Sequence, residues 1–149
     1  ERAKVWSQKI RDVHEYLLEI GFRSPKANCG FRSVTYHESC HLKHGQGVSE
    51  APRALLKAIP GLDLVELHES DWCCGSAGIY NITQPEMSMK LLDKKMGNIK
   101  KTGVEVIATG NPGCAVQIQF GGRRGGESFT VLHPVQLLAA AYRAEIESQ

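Results

Sequence analysis

Short β-prone segments alternate with helical patterns along the chain from residue 33 onward, and glycine-bearing turns separate them. Strand–helix alternation of this kind is typical of a parallel sheet with right-handed crossovers, which place helices on both faces. We therefore predict an α/β fold with a parallel sheet of about four strands. The predicted strands are residues 33–37, 62–67, 104–109 and 129–132, and the predicted helices are residues 52–58, 85–101, 115–120 and 134–146.

An N-terminal helix is predicted ahead of this body, over residues 3–20, because apolar residues recur there at helical spacing and Gly21 follows as a stop. With 149 residues and 42% hydrophobic content, the chain suits a single domain. In it, residues 1–29 form the helix and a linker, and residues 30–149 form the α/β body. The chain starts at Glu1 inside the helical pattern, so we expect it to be the carboxyl-terminal part of a longer polypeptide.

Local signals mark several helix ends and connections. Thr83 and Glu86 have the spacing of a capping box at the start of the longest helix, and Ser49 is a suitable N-cap for the helix before it. Residues 121–126 contain four glycines and two arginines, and glycine is costly to hold in regular structure. We therefore expect a mobile connection over these residues.

Five cysteines occur in the chain, and two of them, Cys73 and Cys74, are adjacent. An odd number with an adjacent pair does not suit the disulfide framework of a secreted protein, and it favours a reducing compartment where clustered cysteines bind metals or do redox chemistry. The net charge is +2 with scattered basic residues, and there is no apolar run of the roughly 20 residues that span a bilayer. We therefore expect a cytoplasmic protein without a nucleic-acid partner.

Four cysteines occupy related positions after the predicted strands. Cys40 follows the first strand, Cys73 and Cys74 follow the second, and Cys114 follows the third. The loops after parallel strands emerge at the same edge of a sheet, where cofactors bind. We therefore expect four thiols to converge from three loops, whereas Cys29, in the linker, is expected to pack in the core.

The residues around these cysteines suit anionic sulfur. Gly75 lets backbone amides approach closely, and such amides donate hydrogen bonds to thiolate or inorganic sulfur. Asn111 and Cys114 fall at the expected start of a helix, where the positive end of the helix dipole favours a thiolate.

Four sequence motifs together resemble a known family. They are YHESCHL at residues 36–42, CCGSAGIYN at 73–81, ATGNPGC at 108–114 and HPV at 133–135. They resemble the cysteine-rich CCG domain of the heterodisulfide reductase B subunit and of the iron–sulfur subunits of glycolate and lactate oxidation. Over about residues 30–145 the chain is most similar to the last domain of glycolate oxidase iron–sulfur subunits.

This resemblance implies an electron-transfer domain that binds an iron–sulfur cluster of the 4Fe–4S kind. The residues that it implies at the cofactor are the ligands Cys40, Cys73, Cys74 and Cys114, with Gly75 and Asn111 beside them. It also implies a flavin-containing 2-hydroxy-acid dehydrogenase subunit as the partner and ferredoxin-like domains upstream in the same chain. Any association with the inner face of the membrane would be peripheral, through the parent complex.

One position departs from the family pattern, because Asn111 stands where the family has the first of two cysteines separated by two residues. Four thiolates remain, which is enough for a conventional iron–sulfur cluster or for tetrahedral zinc. A structural zinc site or a cofactor-free interaction domain is therefore the alternative. A thiol enzyme is disfavoured, since the sequence contains no Cys-x-x-Cys pair.

Histidines near the predicted site are further candidates. His41 follows Cys40 directly, and its imidazole could complete a coordination sphere. His37 and Glu38 either orient the site or end the first strand in solvent. His133, at the end of the fourth strand, either lines the site or caps the helix that follows it.

Overall fold

The computed structural model describes residues 1–148. Its strands are β1 (Ser33–His37), β2 (Asp63–Leu64), β3 (Val106–Thr109) and β4 (Thr130–Leu132). Its helices are α1 (Arg2–Lys9), α2 (Val13–Glu19), α3 (Glu50–Lys57), α4 (Tyr80–Thr83), α5 (Pro85–Thr102), α6 (Pro112–Gly125) and α7 (Pro134–Glu147), and a π-helical segment (His41–Gln46) follows β1. All four strands are parallel, in the order β2-β1-β3-β4, which confirms the predicted α/β class and four-stranded parallel sheet.

Helices cover both faces of the sheet, because side chains of β1 and β3 alternate between the faces and those of both faces are buried. On one face, Val34 and Val106 pack with side chains of α3 and α7. On the other face, Ile107 packs with Ile99 of α5 and Ile118 of α6. The central strands are therefore buried on both sides, as in other α/β folds with parallel sheets.

The strand order reverses between β1 and β3. The chain passes from β1 through α3 to β2, returns through α5 to β3, and continues through α6 to β4. The connections after β1 and β3 therefore run toward opposite edges of the sheet. Such a reversal leaves a crevice at the carboxyl ends of the two strands, and this is where α/β proteins bind ligands.

The N-terminal region contains two helices, whereas the sequence predicts one over residues 3–20. The break falls after Lys9, because Ile10 is extended with φ −72° and ψ 130°. Asp12 then caps α2, since its carboxylate accepts a 2.9 Å hydrogen bond from the His14 N–H. An aspartate cap satisfies a backbone amide that a continuous helix would bond to a carbonyl, so it starts a new helix.

The second strand is shorter than the predicted residues 62–67, since its pairing with β1 covers only Asp63 and Leu64. The Val65 N–H still donates to the Val34 carbonyl at 2.9 Å. The Val65 carbonyl, however, accepts from the Thr35 hydroxyl at 2.6 Å rather than from a backbone amide. The Thr35 side chain thus replaces the next backbone hydrogen bond, and the pairing of β1 with β2 ends there.

The glycine-rich residues 121–126 are mostly helical, so the predicted mobile connection is wrong; α6 covers all but the last of them. The reason is close packing rather than freedom of the backbone. A β-carbon on Gly121 would lie 2.8 Å from the Met96 side chain, and one on Gly122 would lie 2.6 Å from the Phe129 ring. The helix needs glycine at these positions in order to approach its neighbours.

The side-chain caps predicted for two helices do not form. Thr83 lies within α4, where its hydroxyl donates to the Ile79 carbonyl, so the capping box predicted with Glu86 is wrong. Ser49 does occupy the N-cap position of α3, but its hydroxyl donates to the Glu38 carboxylate. In both cases the hydroxyl group bonds to another acceptor instead of to a backbone N–H at the start of the helix.

None of the helices within residues 1–148 combines the length and the apolar character that crossing a lipid bilayer requires.

Candidate metal centre

The loops after β1 and β3 leave the sheet side by side, at the point where the strand order reverses. β1 ends at His37 and β3 ends at Thr109, and these two residues are paired in the sheet. Cys40 lies just beyond β1 at the start of the π-helical segment, and Cys114 lies in the first turn of α6. The register of the two strands therefore brings both cysteine-bearing loops to the same edge.

Three buried side chains form a compact group at this edge. One ring nitrogen of His37 and the Sγ atoms of Cys74 and Cys114 all lie within 4.8 Å of one another. We call these three residues the buried triad. Two thiols and an imidazole at such distances are suitable ligands for zinc or for an iron–sulfur centre.

Strand geometry explains the direction of His37. Neighbouring side chains of a strand point to opposite faces, so Val34 and Tyr36 pack toward α3 and α7, and His37 points toward α5 and α6. Both cysteines of the triad pack in the core on that second face. His37 is only 1% exposed. The strand end is therefore buried, and the solvent-exposed end that the sequence allows for is wrong.

The imidazole of His37 has no partner for its polar atoms. Neither Nδ1 nor Nε2 makes a hydrogen bond of normal geometry within residues 1–148, although the Ser70 carbonyl lies close enough to act on the pKa of the ring in the upward direction. A buried polar group without a partner costs about 1–3 kcal/mol. Burial lowers the pKa of His37 to about 3, and the positive charge of Lys95 acts in the same direction. The ring is therefore neutral near pH 7, with a lone pair free for a metal.

The loop that carries the adjacent pair Cys73 and Cys74 is fixed to α5 through Gly75. Gly75 has a φ of +91°, and a β-carbon there would collide with the backbone of Ser88 in α5. The Ser88 hydroxyl donates to the Gly75 carbonyl at 2.8 Å and accepts from Gln117 of α6 at 3.2 Å. The Gly75 N–H donates to Cys73 Sγ at 3.3 Å. This glycine therefore allows a close backbone approach and supplies an amide to sulfur.

The thiols influence one another's ionisation. The interaction with Cys74, together with burial, raises the pKa of Cys73. The interaction with Cys114 is the main cause that raises the pKa of Cys74, to about 11. The same contact lowers the pKa of Cys114. The three thiols therefore ionise as a coupled group, and a bound cation would favour thiolates at all three positions.

Cys40 and Cys73 lie beside the triad and are partly exposed. Cys73 precedes Cys74 directly. The charge of Cys40 acts on Cys114 as a smaller influence, after those of Cys74 and of burial. Of the four predicted ligands, Cys74 and Cys114 thus lie together with His37, and Cys40 and Cys73 lie next to this group.

A buried lysine, Lys95 of α5, supplies positive charge near the thiols. Its side chain is fully buried, and its Nζ donates to the carbonyl oxygens of Glu69 at 2.5 Å and Ser70 at 3.3 Å. Burial lowers the pKa of Lys95 to about 8, whereas Cys74 acts in the opposite direction. This lysine is not among the residues predicted for the site.

Glu38 joins the loop after β1 to the loop that precedes the adjacent cysteines. It is 2% exposed, and its carboxylate accepts hydrogen bonds from Arg53 at 2.8 Å, from the Ser70 hydroxyl at 2.8 Å and from Ser49. Burial alone would raise the pKa of Glu38, but these bonds outweigh it and lower the pKa to about 2. The Glu38 N–H also donates to the Ser70 carbonyl at 3.1 Å. The two loops are therefore held by one ionic network.

Asn111 and His41 interact at the rim of the site. Asn111 Oδ1 accepts from the Cys114 N–H at 3.0 Å, so this side chain caps α6. Asn111 Nδ2 lies 3.3 Å from Nδ1 of His41, which is exposed and lies outside the triad. The cap holds Cys114 at a helix N-terminus, where the helix dipole favours a thiolate.

His133 caps the helix that follows it, which is one of the two roles that the sequence allows. Its Nδ1 accepts from the Val135 N–H at 3.2 Å. Its ring stacks on the fully buried His14, with ring centroids 4.9 Å apart. A β-carbon on Gly110 would lie 3.4 Å from His14 and 3.8 Å from His133. The histidine pair therefore packs against the turn between β3 and α6.

Several known proteins are similar to this chain. It is 44% identical over 144 residues to a probable glycolate oxidase iron-sulfur subunit of Bacillus subtilis (strain 168), covering 95% of this chain and 32% of that protein. It is 37% identical over 132 residues to lactate utilization protein A of Oceanobacillus iheyensis, covering 89% and 54%. It is 39% identical over 110 residues to a subunit of the CoM/CoB fumarate reductase of Methanothermobacter marburgensis, covering 73% and 22%. The chain thus spans about a third of the first relative and about half of the second.

The model of a family of cysteine-rich domains, CCG, matches residues 34–119. This range runs from β1 into α6 and contains the whole buried triad together with Cys40 and Cys73. It covers more than half of the chain. The chain therefore belongs to the CCG family of cysteine-rich domains.

Proposed function

We propose that this chain is an iron–sulfur electron-transfer domain of a 2-hydroxy-acid oxidase complex of the glycolate or lactate type. The observation that carries the proposal is the buried triad at the carboxyl edge of the sheet, with two further thiols beside it. The names of two relatives, a glycolate oxidase iron-sulfur subunit and a lactate utilization protein, support this type of complex.

The proposed ligands are Cys40, Cys73, Cys74 and Cys114, which offer four thiolates, the number that a 4Fe–4S cluster takes. When bound, such a cluster accepts and releases one electron at a time. The chain itself holds the sulfur atoms in place and limits the access of water, since Cys74 is 1% exposed and Cys114 is 7% exposed. Burial of this kind is one of the means by which proteins set a reduction potential.

Several groups of the chain suit the negative charge of thiolates. The Gly75 N–H donates to Cys73 Sγ, and Cys114 lies at the N-terminus of α6, capped by Asn111. The ammonium of Lys95 is buried in α5 close to the same loops. Positive charge and amide donors near sulfur stabilise the anionic forms of a thiolate site.

In the parent complex, electrons would come from a flavin-containing 2-hydroxy-acid dehydrogenase subunit. Ferredoxin-like domains upstream in the same polypeptide would carry them onward. We propose a cytoplasmic location, with peripheral contact to the inner membrane face through the complex.

A structural zinc site is the second candidate, because the triad has the ligand types of such sites. Adding Cys40 or Cys73 to the triad would give three thiolates and one imidazole, a common tetrahedral set for zinc. Zinc has no redox chemistry, so electrons would then pass through other domains.

The test is iron and acid-labile sulfide analysis, with an EPR spectrum, on protein purified without oxygen. Cys74→Ser removes a thiol of the triad, and Cys29→Ser is the matched control, because Cys29 is also buried but packs on the α3 and α7 face. We expect near-equal iron and sulfide in the unmodified chain and in Cys29→Ser, and their loss in Cys74→Ser. Zinc alone would support the structural alternative, and no metal after anaerobic reconstitution would contradict both candidates.

A further inference from the structure

We propose that His37 binds the metal centre directly through a ring nitrogen, so that the centre has mixed sulfur and nitrogen ligation. The inference deepens the proposed function and rests on it for the identity of the metal. It assigns to this histidine a role that the cysteine motifs do not contain, and it makes Cys74, Cys114 and His37 the buried part of the ligand set.

The polar atoms of the His37 side chain are left without partners. Both ring nitrogens are buried and lack a hydrogen bond of normal geometry within the described part of the chain, with only the Ser70 carbonyl as a weak neighbour. The other histidines near this edge differ: His14 Nδ1 lies 2.6 Å from the Asp12 carboxylate, and His133 Nδ1 accepts a backbone N–H. His41 is exposed and contacts Asn111. His14 Nε2 is buried without a partner as well, but that ring stacks on His133 and lies outside the triad. His37 is therefore the histidine that brings such a ring nitrogen to the two buried thiols.

The triad has the size of a metal site. In a tetrahedral zinc site with ligand bonds of about 2.0–2.3 Å, two ligand atoms lie roughly 3.3–3.8 Å apart. The His37 nitrogen and the two Sγ atoms are within 4.8 Å of one another. Closing on one metal atom would therefore draw these atoms together by up to about 1 Å, which side-chain rotation can supply.

The backbone of His37 is held firmly. His37 is the last residue of β1 and is paired with Thr109 of β3. The next residue, Glu38, is held by the ion pair with Arg53 and by a backbone bond to Ser70. The imidazole is therefore presented from a fixed strand rather than from a loop, and sites built on rigid elements hold their ligands more precisely.

The chemical consequence is a change in charge. With His37 as a ligand, Cys74, Cys114 and one of the two partly exposed cysteines complete a set of four, and the remaining thiol is left out. A neutral imidazole in place of that thiolate leaves the centre less negative by one charge, and histidine ligation raises the reduction potential of iron–sulfur centres. We therefore expect His37 to set the potential of this domain above that of an all-cysteine site.

Pulsed EPR on protein labelled with nitrogen-15 histidine and reconstituted with iron under anaerobic conditions tests the assignment. We expect the strong nitrogen coupling of a directly bound imidazole in the unmodified chain and in the control His41→Leu, and its loss in His37→Leu. His41→Leu is a matched control, because it removes an exposed histidine at the same edge. Only weak nitrogen couplings in the loaded chain, as expected for a hydrogen bond to sulfur, would overturn the inference, as would a strong coupling that persists in His37→Leu.

A cobalt(II) titration of the metal-free chain separates this inference from the proposed function. Bound cobalt should show tetrahedral absorption bands with thiolate character, and His37→Leu should weaken cobalt binding by at least about tenfold. Cobalt binding of this kind without any iron binding would contradict the proposed function and support the role of His37. Equal cobalt affinity in the two proteins, or no binding of either metal, would overturn the inference. Even where His37→Leu does not fold, weak nitrogen couplings alone in the labelled unmodified chain would overturn the inference.

Discussion

Lys95 donates a 2.5 Å hydrogen bond to the Glu69 carbonyl while its own side chain is fully buried within α5. The same Nζ also donates to the Ser70 carbonyl at 3.3 Å. These two carbonyls lie in the loop that leads to the adjacent cysteines. A buried ammonium thus holds the loop in place and provides positive charge close to the sulfur ligands.

Lys95→Met should weaken metal binding and lower the reduction potential of the bound centre, because positive charge stabilises the more negative, reduced state. It should also cost about 1–3 kcal/mol of stability, since buried carbonyls lose their donor. Lys94→Met is the control: Lys94 also bonds Glu69, through the carboxylate at 2.8 Å, but its side chain is 46% exposed. A redox titration that gives the same potential for both variants would contradict the role of Lys95.

The Glu38–Arg53 ion pair should contribute strongly to stability. Arg53→Met removes the closer of two cations from the buried Glu38 carboxylate and leaves only the partly exposed Lys43, 3.4 Å away. The cost should therefore lie near the lower end of the roughly 3–5 kcal/mol that breaking a buried pair costs. Urea denaturation of the metal-free chain measures this loss. Arg32→Met breaks the pair with Glu105, in which both side chains are exposed, and should leave the unfolding midpoint nearly unchanged. Similar midpoints for the two variants would show that the buried network is dispensable.

Two glycines in neighbouring helices should respond to alanine in opposite directions. Gly122→Ala places a methyl group 2.6 Å from the Phe129 ring, and such overpacking typically costs about 1–3 kcal/mol. Gly97→Ala in α5 meets nothing within 4 Å, so it should stabilise the chain by about 0.5–1 kcal/mol through its better helix propensity. Thermal unfolding compares the two, and a stabilising Gly122→Ala would contradict the packing described for α6.

The sheet could be predicted from the sequence, because each strand is a short β-prone segment bounded by turns, and parallel order follows from the helices between the segments. The extent of α6 could not. Gly121 and Gly122 read as helix breakers locally, and only the positions of Met96 and Phe129 show that small residues are needed there. Tertiary packing thus decides what a glycine-rich segment does, and that packing has no local signal.

The candidate site, too, could be predicted from the sequence only in part. The placement of the cysteines after the strands follows from the sequence, because loops after parallel strands share an edge. The burial of His37 follows from the alternation of side chains along β1, because Val34 and Tyr36 point to one face of the sheet and His37 points to the other. Lys95 has a signal as well: it follows Leu92 by three residues, and both lie on the buried side of α5. In a sequence, a lysine beside the apolar face of a helix is normally assigned to the edge of that face, where its ammonium reaches solvent. The full burial of Lys95 therefore does not follow from the sequence.

Gly75 should be the glycine on which metal binding depends most. Gly75→Ala combines a φ of +91° with a collision against the Ser88 backbone, so the loop must move and carry Cys73 and Cys74 with it. Gly78→Ala is the matched control in the same loop, because Gly78 also has a positive φ, +66°, but open space around its β-carbon position. The strain of a left-handed residue alone costs about 1–2 kcal/mol.

We therefore expect Gly78→Ala to retain its metal at somewhat lower stability, and Gly75→Ala to lose most of it. Iron and sulfide analysis on the two proteins, purified together without oxygen, makes the comparison. Full metal content in both would mean that the loop tolerates a shift at Gly75 and that the position of the adjacent cysteines does not depend on its contact with α5. Loss in both would instead attribute the effect to backbone strain, since only Gly75 has the collision.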